Sequence, residues 1–515
     1  MDESLESAPE LVFGLVAPIG VDLDLITDIL KQELLEMGYG SHLLKLTEIM
    51  TEIDGEPPIV ASAFIKSYEE KIAYANAVRA RLGDDALAAL AIGGIRKFRA
   101  EEWLRRQPHS EMAQGQDNGK DPREIPLPNQ AYIIRQLKRP EEVALLRRVY
   151  GRQFILLSNF APQSARIRRI EVSEKRSCGG LTKDVVVRNS AFALVMKDDN
   201  EGTDVHGQKV RDAFHLGDVF IDATSQPAAE ANIKRFVQLL FGDNSVTPNR
   251  DEYGMYMAKS ASLRSADLSR QVGAAIFRTT GEVISLGCNE VPKARGGTYW
   301  AGDANDARDF VLGCDPNDQK KFEVFVDLVE RMRVGSCLSP ELCAKGDASE
   351  IAKELSRSAV FKESKLMDIL EFGRVIHAEM SAICDAARSG LDTQGATLYC
   401  TTFPCHMCAK HIVAAGIDRV VYIEPYPKSY ATDLHQDSID IEGADTKKVQ
   451  FEAFKGISPF RYRDLFEKQK RKDRSGIAQR WYRGVARPRI ETYQPNYCEI
   501  ELKVLSKLKS ASSSS

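Results

Sequence analysis

No stretch of this 515-residue sequence reaches the roughly 18 to 20 consecutive apolar residues that cross a bilayer, so no ordinary transmembrane helix is expected. The opening Met1-Asp2-Glu3 is acidic rather than basic, which removes the positive region of a secretory signal and makes the cytoplasm the expected compartment. Neither sign of charge dominates. With 70 Lys and Arg against 74 Asp and Glu, the surface as a whole has little counterion-release drive toward nucleic acid, and a small phosphorylated substrate fits better. The 10 cysteines are scattered along the chain, which excludes a dense disulfide framework and leaves metal binding as their more informative use. No internal period appears, so a solenoid is excluded as well.

What is present is a globular composition, 43% hydrophobic and 28% charged, in a chain too long for one ordinary core. At least two domains are expected. Leu11 to Val16 reads as a strand, and Leu25, Ile26, Ile29, Leu30, Leu34 and Met37 recur at helical spacing before Gly38 and Gly40. His42 to Leu46, Ala131 to Leu137 and Gln153 to Ser158 are further strands, which together predict a mainly parallel α/β domain over residues 1–245. Gln107 to Pro128 reads as a mobile loop.

A second domain is expected over 246–467. Gln271 to Phe277, a Thr280-Gly281 turn and Glu282 to Cys288 predict a hairpin, and an irregular insertion is expected near 292–362. A helix through Ala378 to Arg388 follows. Strand Ala396 to Cys400, helix Cys405 to Ala415 and strand Arg419 to Ile423 then make a β-α-β unit. Residues 468–515 read as a basic extension with a disordered Ser-rich tail.

The chemistry concentrates in two short segments. Val375-Ile-His-Ala-Glu379 places a histidine two residues before a glutamate, and Phe403-Pro-Cys-His-Met-Cys408 places two thiols at Cys-x-x-Cys spacing. His377, Cys405 and Cys408 are three ligands of the types zinc prefers, which leaves a fourth position for water, and Glu379 is free to move protons. His-x-Glu with Pro-Cys-x-x-Cys is the signature of zinc-dependent base deaminases. The alternative is a closed structural zinc site in which Cys384, Cys400 or His406 supplies a fourth ligand.

At these residues the chain resembles the deoxycytidylate deaminase branch of the cytidine deaminase-like superfamily. Ser265-Ala-Asp-Leu-Ser-Arg-Gln-Val-Gly-Ala-Ala275 resembles that branch's first strand, and Gly287-Cys-Asn-Glu-Val-Pro292 resembles its substrate-contacting strand end. With Gly296-Gly-Thr-Tyr-Trp300 and Glu424-Pro-Tyr-Pro-Lys-Ser429, the chain is similar over roughly 10–490 to bacterial anti-phage dCTP deaminases, which join a P-loop nucleotide-kinase-like domain to a zinc deaminase. The resemblance implies an N-terminal P-loop-like parallel-sheet domain followed by a cytidine deaminase-like three-layer α/β/α domain. It implies Zn2+ as cofactor, conversion of dCTP and dCMP to uracil nucleotides, and depletion of the pool that an infecting phage needs. Asn289 is then expected to hydrogen-bond the deoxyribose. A homo-oligomer such as a hexamer, a deoxynucleotide triphosphate regulator and a restraining small RNA are implied in the same way.

Other signals have two readings. Arg264 and Arg270 are candidate phosphate contacts, though Arg270 equally suits a structural salt bridge, and Tyr426 and Lys428 suit the sugar and triphosphate. Gly14-Leu-Val-Ala-Pro-Ile-Gly20 sits where a phosphate-binding loop would, yet Val21 and Asp22 replace its Lys and hydroxyl residue, so Gly14 and Gly20 mark a degenerate loop and Asp22 reads as a helix N-cap. Arg147, Arg148, Arg152, Arg166, Arg168 and Arg169 are either phosphate-gripping or solvated helix residues. Cys314, Cys337 and Cys343 suit a second zinc or the apolar interior. The basic stretch Lys468 to Arg489, with Trp481-Tyr482, suits RNA, an oligomer contact or solvent. Two rival functions remain open: a nucleic-acid cytosine deaminase, which needs such a basic channel, and a non-catalytic sensor with structural zinc, against which the intact Glu379 argues.

Overall fold

The computed structural model describes residues 8–53, 59–106, 121–178, 184–199, 201, 204–358, 361, 364–368, 371–426, 428–441, 443, 445–482, 484–490 and 497–514. The chain forms two compact units, 1–252 with 455–515, and 253–454.

In the first unit β1 (Leu11–Val16) leads through α1 (Leu23–Glu36) to β2 (Gly40–Lys45), after which come α2 (Phe64–Leu82) and α3 (Ala86–Arg106). β3 (Gln130–Leu137), α4 (Pro140–Tyr150), β4 (Phe154–Phe160), α5 (Gln163–Ser177), α6 (Asp184–Asp199), β5 (Val219–Asp222) and α7 (Gln226–Leu240) follow. The five strands are parallel in the order β2-β3-β1-β4-β5. Every residue of β1 is buried because helices cover both faces, as a parallel sheet requires. Val12 and Val16 face one core, with α2, α3 and α4, while Leu11, Phe13 and Leu15 face the other, with α1 and α7.

Helix α8 (Arg250–Ser262) leads into the second unit, which opens with the antiparallel hairpin β6 (Gly273–Phe277) and β7 (Val283–Cys288). The 292–362 region, expected to be irregular, contains helices α9 (Pro316–Val334) and α10 (Ala348–Ser356), whose Phe325, Val329 and Ile351 pack into a small core of their own. Then come α11 (Ala378–Arg388), β8 (Thr397–Thr402), α12 (His406–Ala414), β9 (Arg419–Glu424), β10 (Ile439–Asp440) and β11 (Val449–Ala453). The sheet order is β10-β11-β9-β8-β6-β7, parallel from β10 to β8 and antiparallel at β6. Ala274, Ile276, Leu398 and Cys400 pack with α11 and α12 on one face. On the opposite face a Cβ at Gly273 would meet the α8 backbone at 1.9 Å, so this strand and helix touch only because position 273 has no side chain. The unit is therefore a three-layer α/β/α arrangement, and the α/β class expected from the sequence holds for both units.

The chain then returns to the first unit. β12 (Gly456–Ile457) pairs antiparallel with β5, and α13 (Tyr497–Ser514) packs Tyr497 and Cys498 into the core that α3 and α4 share. The second unit thus ends at 454 rather than 467, and the backbone is helical where the Ser-rich tail was expected to be disordered. Ile500, Val504, Leu505 and Leu508 pack α13 against that core, and the helix runs on from them into the serines. In the expected mobile loop, 107–120 lie outside the described residues, and Pro122–Glu124 form a short 3-10 turn.

Candidate metal centre

Two helix starts meet at this site. His377 is the N-cap of α11 and Cys405 the N-cap of α12, and neither side chain caps its own helix. They turn toward one another instead. The His377 Nδ1 atom lies 3.3 Å from the Sγ of both Cys405 and Cys408, and the three candidate ligand atoms all fall within 4.8 Å of one another. A nitrogen and a sulfur bound to one tetrahedral zinc are separated by roughly 3.6 Å, so the trio has close to the required spacing before any ion enters. Among the described residues no other His, Cys, Asp or Glu joins the group. Cys384 is exposed, and neither Cys400 nor His406 supplies a fourth donor.

The sheet places these helix starts. The strand end after β7 is tied to the residue before His377 by paired backbone hydrogen bonds between Glu290 and Ile376 (3.3 and 3.1 Å). Cys405 follows β8 directly. The sequence placed the two starts at neighbouring parallel strands; β7 and β8 do run in the same direction, but antiparallel β6 lies between them. A Cβ at Gly287 would meet the Ala378 carbonyl at 2.1 Å, so a glycine there lets α11 lie against β7.

Charge is shared unequally across the trio. The hydrogen bond that Cys408 donates leads the effects that hold the Cys405 thiol down to about 4, and the one His377 donates to the Cys405 sulfur leads those that raise His377 to about 9. Cys408 is pushed well above the ordinary thiol range by the same pairing with Cys405. The positive ends of α11 and α12 add to the preference for a thiolate. Beside them Glu379 is 4% exposed, and burial raises its carboxyl above the usual range. The buried Cys400 thiol, itself raised by burial, hydrogen-bonds this carboxylate.

The expected substrate residues fall on the surrounding loops. Asn289 is buried with both ends of its amide engaged: Oδ1 accepts from the Val272 N–H and Nδ2 donates to the Arg270 carbonyl, each at 2.7 Å. It holds the 270–272 strand entry in place. Arg270 makes a 3.0 Å ion pair with Glu424 and lies 4.9 Å from the centre of the Tyr426 ring. Arg264 donates to Thr298 and to the Tyr299 carbonyl, stacks 3.7 Å from the Trp300 ring, and keeps a buried Nε without a hydrogen-bond partner. Lys428 is exposed on the loop after β9, where Ser429 donates to the Pro404 carbonyl at 2.8 Å beside the metal loop. Glu290, Glu424 and Trp300 were not singled out from the sequence, although each lies inside a quoted motif.

The remaining candidates separate. Gly14 lies within β1, where a Cβ would strike Leu137 and Phe154 at 2.7 and 2.8 Å, so its smallness serves core packing rather than a ligand loop. Gly20 has φ +94° and belongs to the β1–α1 loop, and Asp22 is the N-cap of α1, accepting from the Leu25 N–H. Arg147 and Arg152 pair with Asp218 and Asp464, whereas Arg166 and Arg169 pair with Asp199 and Asp22 near Gly20. The cluster therefore splits. Cys314, Cys337 and Cys343 form no metal-holding group among the described residues. In the basic stretch, Lys468 donates to the Asp243 and Val246 carbonyls, Arg480 pairs with Asp243, and Trp481 packs on the α1–α7 core.

Among the described residues no helix is long and apolar enough to cross a membrane. ComE operon protein 2 of Bacillus subtilis (strain 168) is 44% identical over 66 residues, 13% of this chain and 35% of that protein. Deoxycytidylate deaminase of Enterobacteria phage T2 is 52% identical over 54 residues, 10% of this chain and 29% of that protein. This chain thus spans about a third of the length of these curated relatives. A crystal structure of dCMP deaminase from the cyanophage S-TIM5, in complex with dCMP and dUMP, aligns over 40% of this chain and 98% of its own at 20% identity and a TM-score of 0.23. Residues 248–424 match the family model of the cytidine and deoxycytidylate deaminase zinc-binding region, a span that contains the whole His377, Cys405 and Cys408 trio, and the cofactor of the site is zinc.

Proposed function

We propose that this protein hydrolyses the exocyclic amino group of a deoxycytidine nucleotide, releasing ammonia and a deoxyuridine nucleotide, with His377, Cys405 and Cys408 as the zinc ligands and Glu379 as the proton carrier. One observation carries the reading. Three ligand atoms converge within 4.8 Å, no fourth protein donor joins them among the described residues, and a buried carboxylate lies alongside. A structural site would be closed by a fourth side chain, whereas a catalytic one keeps a place for water. Zinc, when bound, supplies a Lewis acid that makes water a competent nucleophile near neutral pH.

The chain's own groups do the rest. Glu379 accepts one proton from the attacking water and passes it to cytosine N3, then takes the remaining hydroxyl proton at C4 and delivers it to the amino group, which leaves as ammonia while the C4 carbonyl forms. Its burial suits this two-way traffic, since a carboxyl raised above its ordinary range gives up and takes back a proton with less bias. Arg264, Arg270 and Lys428 lie on loops of the same unit and supply cations for a nucleotide's phosphates, with Tyr426 beside Arg270 for the sugar. The Asn289 Nδ2 retains a second N–H for the deoxyribose while the first holds the Arg270 carbonyl. The substrates proposed are dCTP and dCMP, and the pool-depleting role against phage rests on that activity. A homo-oligomer, a deoxynucleotide triphosphate regulator and a restraining RNA belong to the same proposal.

The test is direct. Purified protein is offered dCTP, dCMP, CTP, cytidine and a short single-stranded DNA, and ammonia and uracil products are followed. Turnover of the deoxynucleotides ahead of the others is expected. Preference for cytidine would overturn the nucleotide reading, and deamination of the DNA alone would favour a nucleic-acid editor.

A further inference from the structure

A small cavity in the first unit collects arginines that deamination does not use. Its walls are apolar: Ile155, Val219, Phe236 and Leu240 come from β4, β5 and α7, and Leu465 and Ile490 from the returning chain. Its charged lining residues, among those described, are three arginines, Arg152, Arg461 and Arg489, and one acid, Asp464. About 20 Å³ of space lies inside, which suits a water-sized particle and excludes a nucleotide. Arg152 precedes β4 and Val219 opens β5, so the cavity lies at the amino ends of these strands, opposite the crevice where open α/β sheets take their ligands.

The hydrogen bonds of these arginines leave donors over. Arg461 is 7% exposed. Its Nη2 donates to the Phe154 and Arg152 carbonyls at 2.6 and 3.2 Å, and its Nη1 reaches Asp464 at 3.5 Å. Its Nε lies 3.4 Å from Asp218 Oδ1 without forming a hydrogen bond, and this buried N–H has no hydrogen-bond partner among the described residues. Asp218 is already engaged, since it accepts from the Leu156 N–H at 2.8 Å and pairs with Arg147 at 3.1 Å. Arg489 donates to the Leu465 carbonyl at 2.7 Å and to the Glu467 carbonyl, which leaves most of a guanidinium's five N–H groups for other acceptors.

Positive charge is in surplus here. Arg147, Arg152 and Arg461 share two carboxylates, Asp218 and Asp464, and Arg489 adds a further cation. Glu467, the next acid along the chain, pairs with Arg463. Burial holds the pKa of Arg489 below the usual arginine value, and burial together with Arg489 pushes Lys468 down to about 8. Both shifts are those of cations enclosed without matching anions.

We infer that the cavity binds one monovalent inorganic anion of chloride's size, which takes the Arg461 Nε–H and the spare Arg489 donors and offsets the surplus charge. The class of anion follows from the walls. A multiply charged, strongly hydrated anion such as phosphate loses more hydration in an apolar cavity than two guanidiniums return, whereas a single diffuse charge loses less. Arg461 and Arg489 belong to the returning chain and Arg152 to the start of β4, so the anion ties that return to the sheet.

Full-length zinc-loaded protein is crystallised from sodium bromide, and the anomalous signal of bromide is located. A peak between Arg461 and Arg489 is expected. Water density there, in crystals whose other bromides are visible, would overturn the proposal. In solution the protein is melted in sodium chloride and in sodium gluconate at one ionic strength, so that screening is the same in both. Chloride well above its Kd is expected to raise the melting temperature by roughly 2 °C or more. Arg489→Gln keeps an amide donor and removes the charge, and it is expected to lose the chloride-dependent rise, whereas Arg148→Gln, which removes an exposed arginine outside the cavity lining, is expected to keep it. A rise that survives Arg489→Gln would refute the site. A bromide peak without any rise in the unaltered protein would mark binding at crystal concentration only and would refute it equally. Should Arg489→Gln fail to fold, Arg152→Gln, at the more exposed cavity arginine, takes its place with the same two outcomes. Deamination is measured in none of these experiments.

Discussion

Burying a carboxylate costs stability unless the charge is used or compensated, and Glu379 is surrounded by two thiols, an imidazole and a strand. That environment makes sense if the side chain handles protons. Glu379→Ala is expected to lower turnover by roughly 10²- to 10⁴-fold while zinc content, measured by atomic absorption, stays at the level of the unaltered protein. Unchanged turnover would remove the residue from the reaction. The thiols are expected to behave differently. Cys405→Ser replaces a soft donor with a hydroxyl, so zinc content and turnover should fall together, and added zinc should restore little of either. Asn289 marks the limit of residue-level reading. Its place in a quoted motif suggested a sugar contact, whereas its hydrogen bonds to residues 270 and 272 give it a second task that only the folded loop reveals.

Helices α11 and α12 carry the chemistry at their first residues, so their seating against the sheet sets the ligand spacing. Gly287 is the point of closest approach. Gly287→Ala would press a methyl group into the Ala378 carbonyl and shift α11 with His377 and Glu379. Turnover is expected to fall by about 10²-fold, the usual consequence of misplacing a catalytic group by an ångström, with weaker zinc retention under dialysis. Helix α13 matters for another reason. Its Glu501 and the N-terminal Glu10 enclose Arg99 at 2.9 and 3.0 Å, and the hydroxyls of Tyr132, Tyr150 and Tyr497 complete the buried network. Glu501→Ala leaves Arg99 with half of its compensation, and a loss of about 3 to 5 kcal/mol is expected in chemical denaturation of the first unit. Nothing in the sequence joined position 10 to position 501, because a buried ion pair has no local pattern.

At the scale of the whole chain, the zinc site lies entirely within 253–454. Chelation is therefore expected to raise amide exchange in α11, β8 and α12 while leaving β1 and β4 protected, and to abolish turnover until zinc is returned. Zinc at a free concentration of 100 times its Kd would stabilise the unit that binds it by about 2.7 kcal/mol, which a melting experiment resolves. Much of this was legible in the residues. The β1 and β3 runs, the hairpin turn at Gly281 and the two ligand motifs are local patterns, and local patterns survive being read one residue after another. The sequence by itself picked out the three residues that could hold a metal, the carboxylate proposed as proton carrier and the α/β class, since each depends on residue type at short spacing. Only the tertiary structure decided that β6 separates the strands beneath the two ligand-bearing helices, that the last sixty or so residues rejoin the first unit, and that Asp198 lies against the β1–α1 loop. Those facts depend on contacts between residues far apart in the chain, and such contacts are set by packing and charge pairing rather than by any neighbouring residue.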